Sequence, residues 1–169
     1  MGDGGVVFTS PDGTTWTSQD SGISTDLSGI SYGNGTFVVV GNGGTIFTSH
    51  DGTAWTSRNS GISKDLCETA YGNGAFVATG GFGIILTSPD GAAWTSRNSG
   101  TSDTLFGISY GNGTFVAVGD NGKILSSSDG TTWTSRNSGT SNSLMTVNYG
   151  NGTFVAAEIN GTILQTGVS

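Results

Sequence analysis

At 169 residues the chain suits a single domain with a sizeable buried core. Only 10% of its residues are charged, and 12 acids against 5 bases leave a net charge of −7, which argues against a nucleic-acid or anionic-membrane partner. The lone cysteine, Cys67, rules out an intrachain disulfide, and the longest apolar run, Phe37-Val38-Val39-Val40, is far too short for membrane insertion. Met1-Gly2-Asp3 offers neither a basic start nor an apolar core, so no signal peptide is expected and the compartment stays open.

The chain is one unit written several times. Trp recurs at 16, 55, 94 and 133, Tyr at 32, 71, 110 and 149, and an Asp-Gly pair at 12, 51, 90 and 129, each in steps of 39. A fixed period of this size signals a repeat architecture in which each unit covers the next. Taken in order, residues 1–22 supply a third and fourth strand, and full units follow at 23–61, 62–100 and 101–139. Residues 140–169 supply a first, second and third strand, so the two end pieces are expected to complete one shared unit. GVVFTS (5–10) and GTILQT (161–166) are both third strands, leaving one surplus.

Within the unit, Leu66 to Tyr71 reads as a strand ending at the Gly-Asn-Gly of 72–74, a hairpin signal whose central residues need positive φ. Phe76 to Thr79 forms the second strand, a glycine-rich turn spans Gly80, Gly81 and Gly83, and Ile84 to Thr87 forms the third. After Ser88-Pro89-Asp90-Gly91, a fourth strand is expected to carry Trp94 to Arg97 before Asn98-Ser99-Gly100. No segment has helical apolar periodicity. A sheet of four short strands with apolar residues on both faces needs a neighbour on each, which a radial β-propeller provides. The fold class expected is therefore an all-β propeller with four blades per chain, or eight in a dimer that shares blades or swaps strands. A β-solenoid fits the period less well.

The turns carry S-x-D-G-x-x-W four times: Ser10/Asp12/Gly13/Trp16, Ser49/Asp51/Gly52/Trp55, Ser88/Asp90/Gly91/Trp94 and Ser127/Asp129/Gly130/Trp133. The motif resembles the Asp-box, or BNR, repeat of sialidase-type and photosystem II assembly factor-like propellers, shortened by one residue between Asp and Gly. The resemblance implies a turn joining the third and fourth strands of a blade. Physically, the carboxylate can accept backbone N–H bonds, Gly takes the left-handed position and Trp covers the hairpin. A lone Asp per turn has no clustered oxygen partners, so the role is structural and neither a metal nor a cofactor is expected.

Sialidase chemistry would need converging arginines, a Tyr nucleophile with a Glu partner, and an acid/base Asp. Arg58, Arg97 and Arg136 are repeat-equivalent and so are spread over separate blades, while Glu68 and Glu158 sit at non-equivalent positions. The chain is read as no enzyme. His50 and Cys67 have no sequence partners for a metal or nucleophile, and Asn34, Asn112, Asn151 and Asn160 match the glycosylation sequon only because Asn-Gly turns precede Thr.

What varies between copies lies at the start of the innermost strand and in the loop before it. Lys64, Asp65, Cys67, Glu68, Asp103, Phe106, Asn142 and Met145 are the candidate binding face, with neutral drift of an exposed loop as the alternative. The expected function is a scaffold for protein–protein binding or assembly. A multivalent glycan-binding module is the second reading, and an engineered or recently amplified repeat without a specific ligand the third.

Overall fold

A computed structural model describes residues 3–161 and 163–165. Met1 and Gly2 of the first piece, Thr162 of the Asn160 sequon, and 162 and 166 of the expected last third strand lie outside the described residues.

The architecture is an all-β propeller. Its first sheet pairs β1 (Val7–Thr9) with β2 (Thr17–Gln19). Three four-stranded antiparallel blades follow. They comprise β3 (Leu27–Gly33), β4 (Thr36–Gly41), β5 (Ile46–Ser49) and β6 (Thr56–Arg58); then β7 (Leu66–Gly72), β8 (Ala75–Gly80), β9 (Ile85–Ser88) and β10 (Thr95–Arg97); then β11 (Leu105–Gly111), β12 (Thr114–Gly119), β13 (Ile124–Ser127) and β14 (Thr134–Arg136). A three-stranded sheet of β15 (Leu144–Gly150), β16 (Thr153–Glu158) and β17 (Ile163–Gln165) ends the series. Strand order within each blade follows the chain, as a meander requires.

Local chemistry explains the turns. Between first and second strands, Asn73 (φ 47°) and Gly74 (φ 76°) are both left-handed, the type I′ geometry that matches strand twist. Trp94 falls just before β10 instead of within it, because its indole is part of the turn described below.

The innermost strands β3, β7, β11 and β15 pack side by side in chain order. The core lies between blades. Phe76, Leu86, Val38 and Ile46 share one cluster across the first and second blades, and Phe115, Leu125, Val77 and Ile85 share the next. Each blade buries its apolar faces only because a neighbour is present. A small residue makes the contact close: a side chain at Gly33 would run into the ring of Tyr71, at Gly72 into Tyr110, and at Gly111 into Tyr149.

The expected joining of the two end pieces in one sheet does not occur within the chain among the described residues. The β1–β2 hairpin is held at the start of the series, where Gly4 N–H donates to Asp26 (2.9 Å) and Val7 packs with Ile23, Leu27 and Val39. The β15–β17 sheet lies beyond the third complete blade. Both candidate third strands, β1 and β17, are therefore formed, each in its own sheet.

Thr79 is fully buried and its hydroxyl has no hydrogen-bond partner, whereas the same repeat position holds Val40 and Val118. Thr79→Val should raise stability by about 1 kcal/mol by removing a desolvated, unpaired hydroxyl. A higher urea midpoint with an unchanged m-value would show this; a lower midpoint would mean that the hydroxyl is satisfied in solution.

Candidate binding face

Each blade has two dissimilar ends. One carries the Asn-Gly turns and the S-x-D-G-x-x-W turns. In the second of these, Asp51 accepts from the N–H groups of Thr53 (2.8 Å) and Ala54 (2.9 Å), and Ser49 Oγ accepts from Gly52 N–H (2.9 Å). Trp55 Nε1 then donates to the Gly52 carbonyl (3.2 Å). The same bonds recur around Asp12, Asp90 and Asp129, with indole bonds from Trp16, Trp94 and Trp133 to Gly13, Gly91 and Gly130. Backbone N–H groups hold the carboxyls of Asp12, Asp51, Asp90 and Asp129 below their ordinary range. These groups are occupied in forming the turn. Among the described residues, no cluster of three metal-ligating side chains exists.

The outer-strand groups are also engaged. Arg58, Arg97 and Arg136 each donate Nε to a hydroxyl of their own third strand, on Thr48 (2.8 Å), Thr87 (2.8 Å) and Ser126 (2.7 Å). The three guanidinium groups thus serve separate hairpins. In each outer Trp-Thr-Ser-Arg segment of the three complete blades, the indole N–H and the guanidinium Nε–H are turned to internal partners.

The other end carries the variable residues. Loops entering each first strand meet the 3-10 turn that joins second and third strands: Asn42, Gly81 and Asp120 donate their N–H groups to Asp26, Asp65 and Thr104 carbonyls. Several candidate residues clasp adjacent segments here. The Asp65 carboxylate accepts from Gly43 N–H (2.8 Å), in the blade before it. Asp103 pairs with Lys123 (3.4 Å) and accepts from Asn121 (2.9 Å), which lower its carboxyl pKa, the Asn121 bond most. Asn142 donates to Glu158 (3.0 Å). These contacts fit segments to one another, across blades at Asp65 and within a single blade at Asp103 and Asn142.

A second group stands outside the strand ladder for a reason not visible in the pattern. Every innermost strand has a register break one residue in, between Leu27/Gly29, Leu66/Glu68, Leu105/Gly107 and Leu144/Thr146. The extra residue of each bulge is Ser28, Cys67, Phe106 or Met145. A bulge leaves its residue outside the ladder and re-aims it, which frees that position to vary. Cys67 and Phe106 are half-buried and Met145 is exposed. Burial raises the Cys67 thiol pKa, with Asp65 adding to it, so this thiol is a poor nucleophile. Glu68 follows the bulge; burial pushes its carboxyl up, and its Oε1 accepts from Thr69 N–H (3.0 Å).

The residue missed from sequence is Phe82. It occupies the left-handed position of its 3-10 turn (φ 59°), where the neighbouring copies have Gly43 and Asn121. It is 69% exposed, Lys64 Nζ lies 4.7 Å from its ring centroid, and its turn packs against β11, which begins at Leu105 beside Phe106. A left-handed aromatic costs about 1–2 kcal/mol relative to glycine. The signal was available as an aromatic replacing Gly or Asn in a glycine-rich turn.

No protein-family model matches the chain, and no curated protein matches it. Solved structures do share the fold. A structure of YCF48 bound to D1 peptide aligns at TM-score 0.73 and 19% identity, covering 99% of this chain and 58% of that one. The computationally designed Ika4 protein aligns at TM-score 0.69 and 13% identity, over 89% of this chain and 94% of that one. The designed Ika8 protein aligns at TM-score 0.72 and 12% identity, over 99% of this chain and 57% of that one. The chain thus spans a little over half the length of the YCF48 and Ika8 chains.

Proposed function

We propose that this chain is a non-enzymatic propeller scaffold of the Asp-box type, which binds a segment of a partner protein at its loop end. The observation that carries this reading is Phe82, an exposed aromatic held in an unfavourable backbone conformation beside Lys64. Strain retained at an exposed position calls for a compensating use, and the bulge residues Phe106 and Met145 add apolar surface at the same end. Peptide capture by YCF48, a propeller of the same fold, supports the class of ligand.

Panning a peptide-display library on the immobilised chain should enrich segments with an apolar side chain. Their affinity should fall about tenfold on Phe82→Gly, the loss of one anchor contact. The same variant should unfold at higher denaturant, since glycine relieves the left-handed strain. Binders indifferent to both Phe82→Gly and Phe106→Ser would overturn the assignment of the face, and a library that enriches nothing would overturn peptide binding itself.

A further inference from the structure

The packing step that joins the blades is repeated inside the chain and left unfilled at both ends. Tyr71 lies over Gly33, Tyr110 over Gly72 and Tyr149 over Gly111. Continued by one step, Gly150 should receive a tyrosine, yet nothing lies within 4 Å of where its side chain would begin. At the other end no glycine among the described residues lies beneath Tyr32, which is 57% exposed, with Ile30 beside it at 56%.

A second series ends the same way. Gly91 rests against Val38 and Gly130 against Val77, so the next receiving residue is Val116. Val116 lines an apolar cleft of about 570 Å³ with Val118, Ile124, Tyr149, Phe154 and Leu164. The first glycine of this series, Gly13, has nothing near it, and Trp16 is 60% exposed, whereas Trp94 and Trp133 pack on buried clusters. The last sheet has first, second and third strands, while the first sheet has only a third and a fourth.

We infer that two copies of this chain associate head to tail, each placing its β1–β2 hairpin in the cleft of the other. Trp16 and Gly13 of one copy then cover Val116 of the other, and Tyr32 settles on Gly150. Each contact repeats one already made inside the chain, so the second copy is the occupant whose shape the cleft already specifies. The joined sheets have one conflict, the duplicated third strand. Both are packed, β1 through Val7 on Ile23, Leu27 and Val39 and β17 through Leu164 on Val118, Leu144, Val147 and Ala156. The segment before β1 is held in addition by the Gly4 N–H bond to Asp26 (2.9 Å) and the Ser21 Oγ bond to the Gly5 carbonyl (2.6 Å). Strand β17 bonds only to β16 among the described residues, and it gives way. Three complete blades from each copy and two shared ones make a ring of eight. A heterologous contact of this kind must close or grow into filaments, and two copies close it.

Light scattering across a sizing column should give twice the 17.0 kDa chain mass. Gly150→Leu, which fills the receiving site, and Tyr32→Ser, which removes the inserted ring, should each give a single-chain mass with an unchanged circular dichroism spectrum. Should Gly150→Leu fail to fold, Tyr32→Ser alone decides the matter. A parent chain monomeric at every concentration, or a dimer that survives a folded variant at either face, would overturn the proposal. Species larger than a dimer would overturn the closed ring.

Discussion

Gly72→Ala is expected to destabilise the chain by about 3 kcal/mol, the upper part of the range for overfilling a packed contact. Gly72 lies on the innermost strand of the second blade, and a methyl group there would occupy the ring of Tyr110. Its φ is not among the left-handed ones, so backbone strain plays no part and the cost is steric. Tyr110 cannot swing away freely, because its ring is 4.6 Å from that of Phe115, itself fully buried. Gly150→Ala is the matched control at the equivalent position, with open space around it. Its effect on a single chain should stay within about 0.5 kcal/mol, as for an ordinary surface change. Urea titrations of both variants at two protein concentrations would check this. If copies pair head to tail, the Gly150 effect grows with concentration while the Gly72 effect does not. Equal losses at both positions would mean that the tyrosine rings yield, and that the blade contact is not the tight step described.

Replacing Asp51, Asp90 and Asp129 together by Asn should flatten the acid side of the stability profile. In the folded chain these carboxyls titrate below their ordinary range because backbone N–H groups bond the ionised form: Ala54 then Thr53 for Asp51, Ala92 then Ala93 for Asp90, and Thr132 foremost for Asp129. For a carboxyl depressed by folding, the stabilisation is complete above the unfolded value near pH 4. It is lost as pH falls through the lower folded values. Acid unfolding of the parent should therefore take up protons at these turns, and the triple variant should take up as many as about three fewer. Glu68 works in the opposite sense: burial raises its carboxyl, so its contribution is greatest below the unfolded value and declines as pH rises through the folded one. Glu68→Gln separates the two effects, since it should help near neutrality without altering the acid limb. Thermal melts between pH 7 and pH 2 would read both (roughly the interval over which carboxyls titrate). An acid limb unchanged in the triple variant would mean that the turns are not held by their carboxylates.

These two predictions rest on features of unequal visibility. The turn chemistry was legible, because Ser, Asp, Gly and Trp act on groups two or three residues away and need no tertiary partner. The tyrosine–glycine contact was half legible: Tyr71 marks the end of its strand in the sequence, but its seat, Gly33, lies 38 residues earlier in another blade. The candidate face was read from variation between copies, and variation has two sources here. At Asp65 and Asn142 it reflects fitting to neighbouring segments; at Phe106 and Met145 it reflects a bulge that no local residue type announces. Phe82 was passed over because a turn was expected from its glycine neighbours alone.

The period, the meander and the all-β propeller follow from turn residues and strand patterns acting within about 39 residues, and so were readable without a tertiary partner. Tertiary structure alone decided that the end pieces occupy separate sheets, that each innermost strand is bulged, and which faces are left uncovered. Those depend on how one blade rests on the next, and copies so nearly alike state that relation identically at every step, including the first and the last, where no described neighbour receives it.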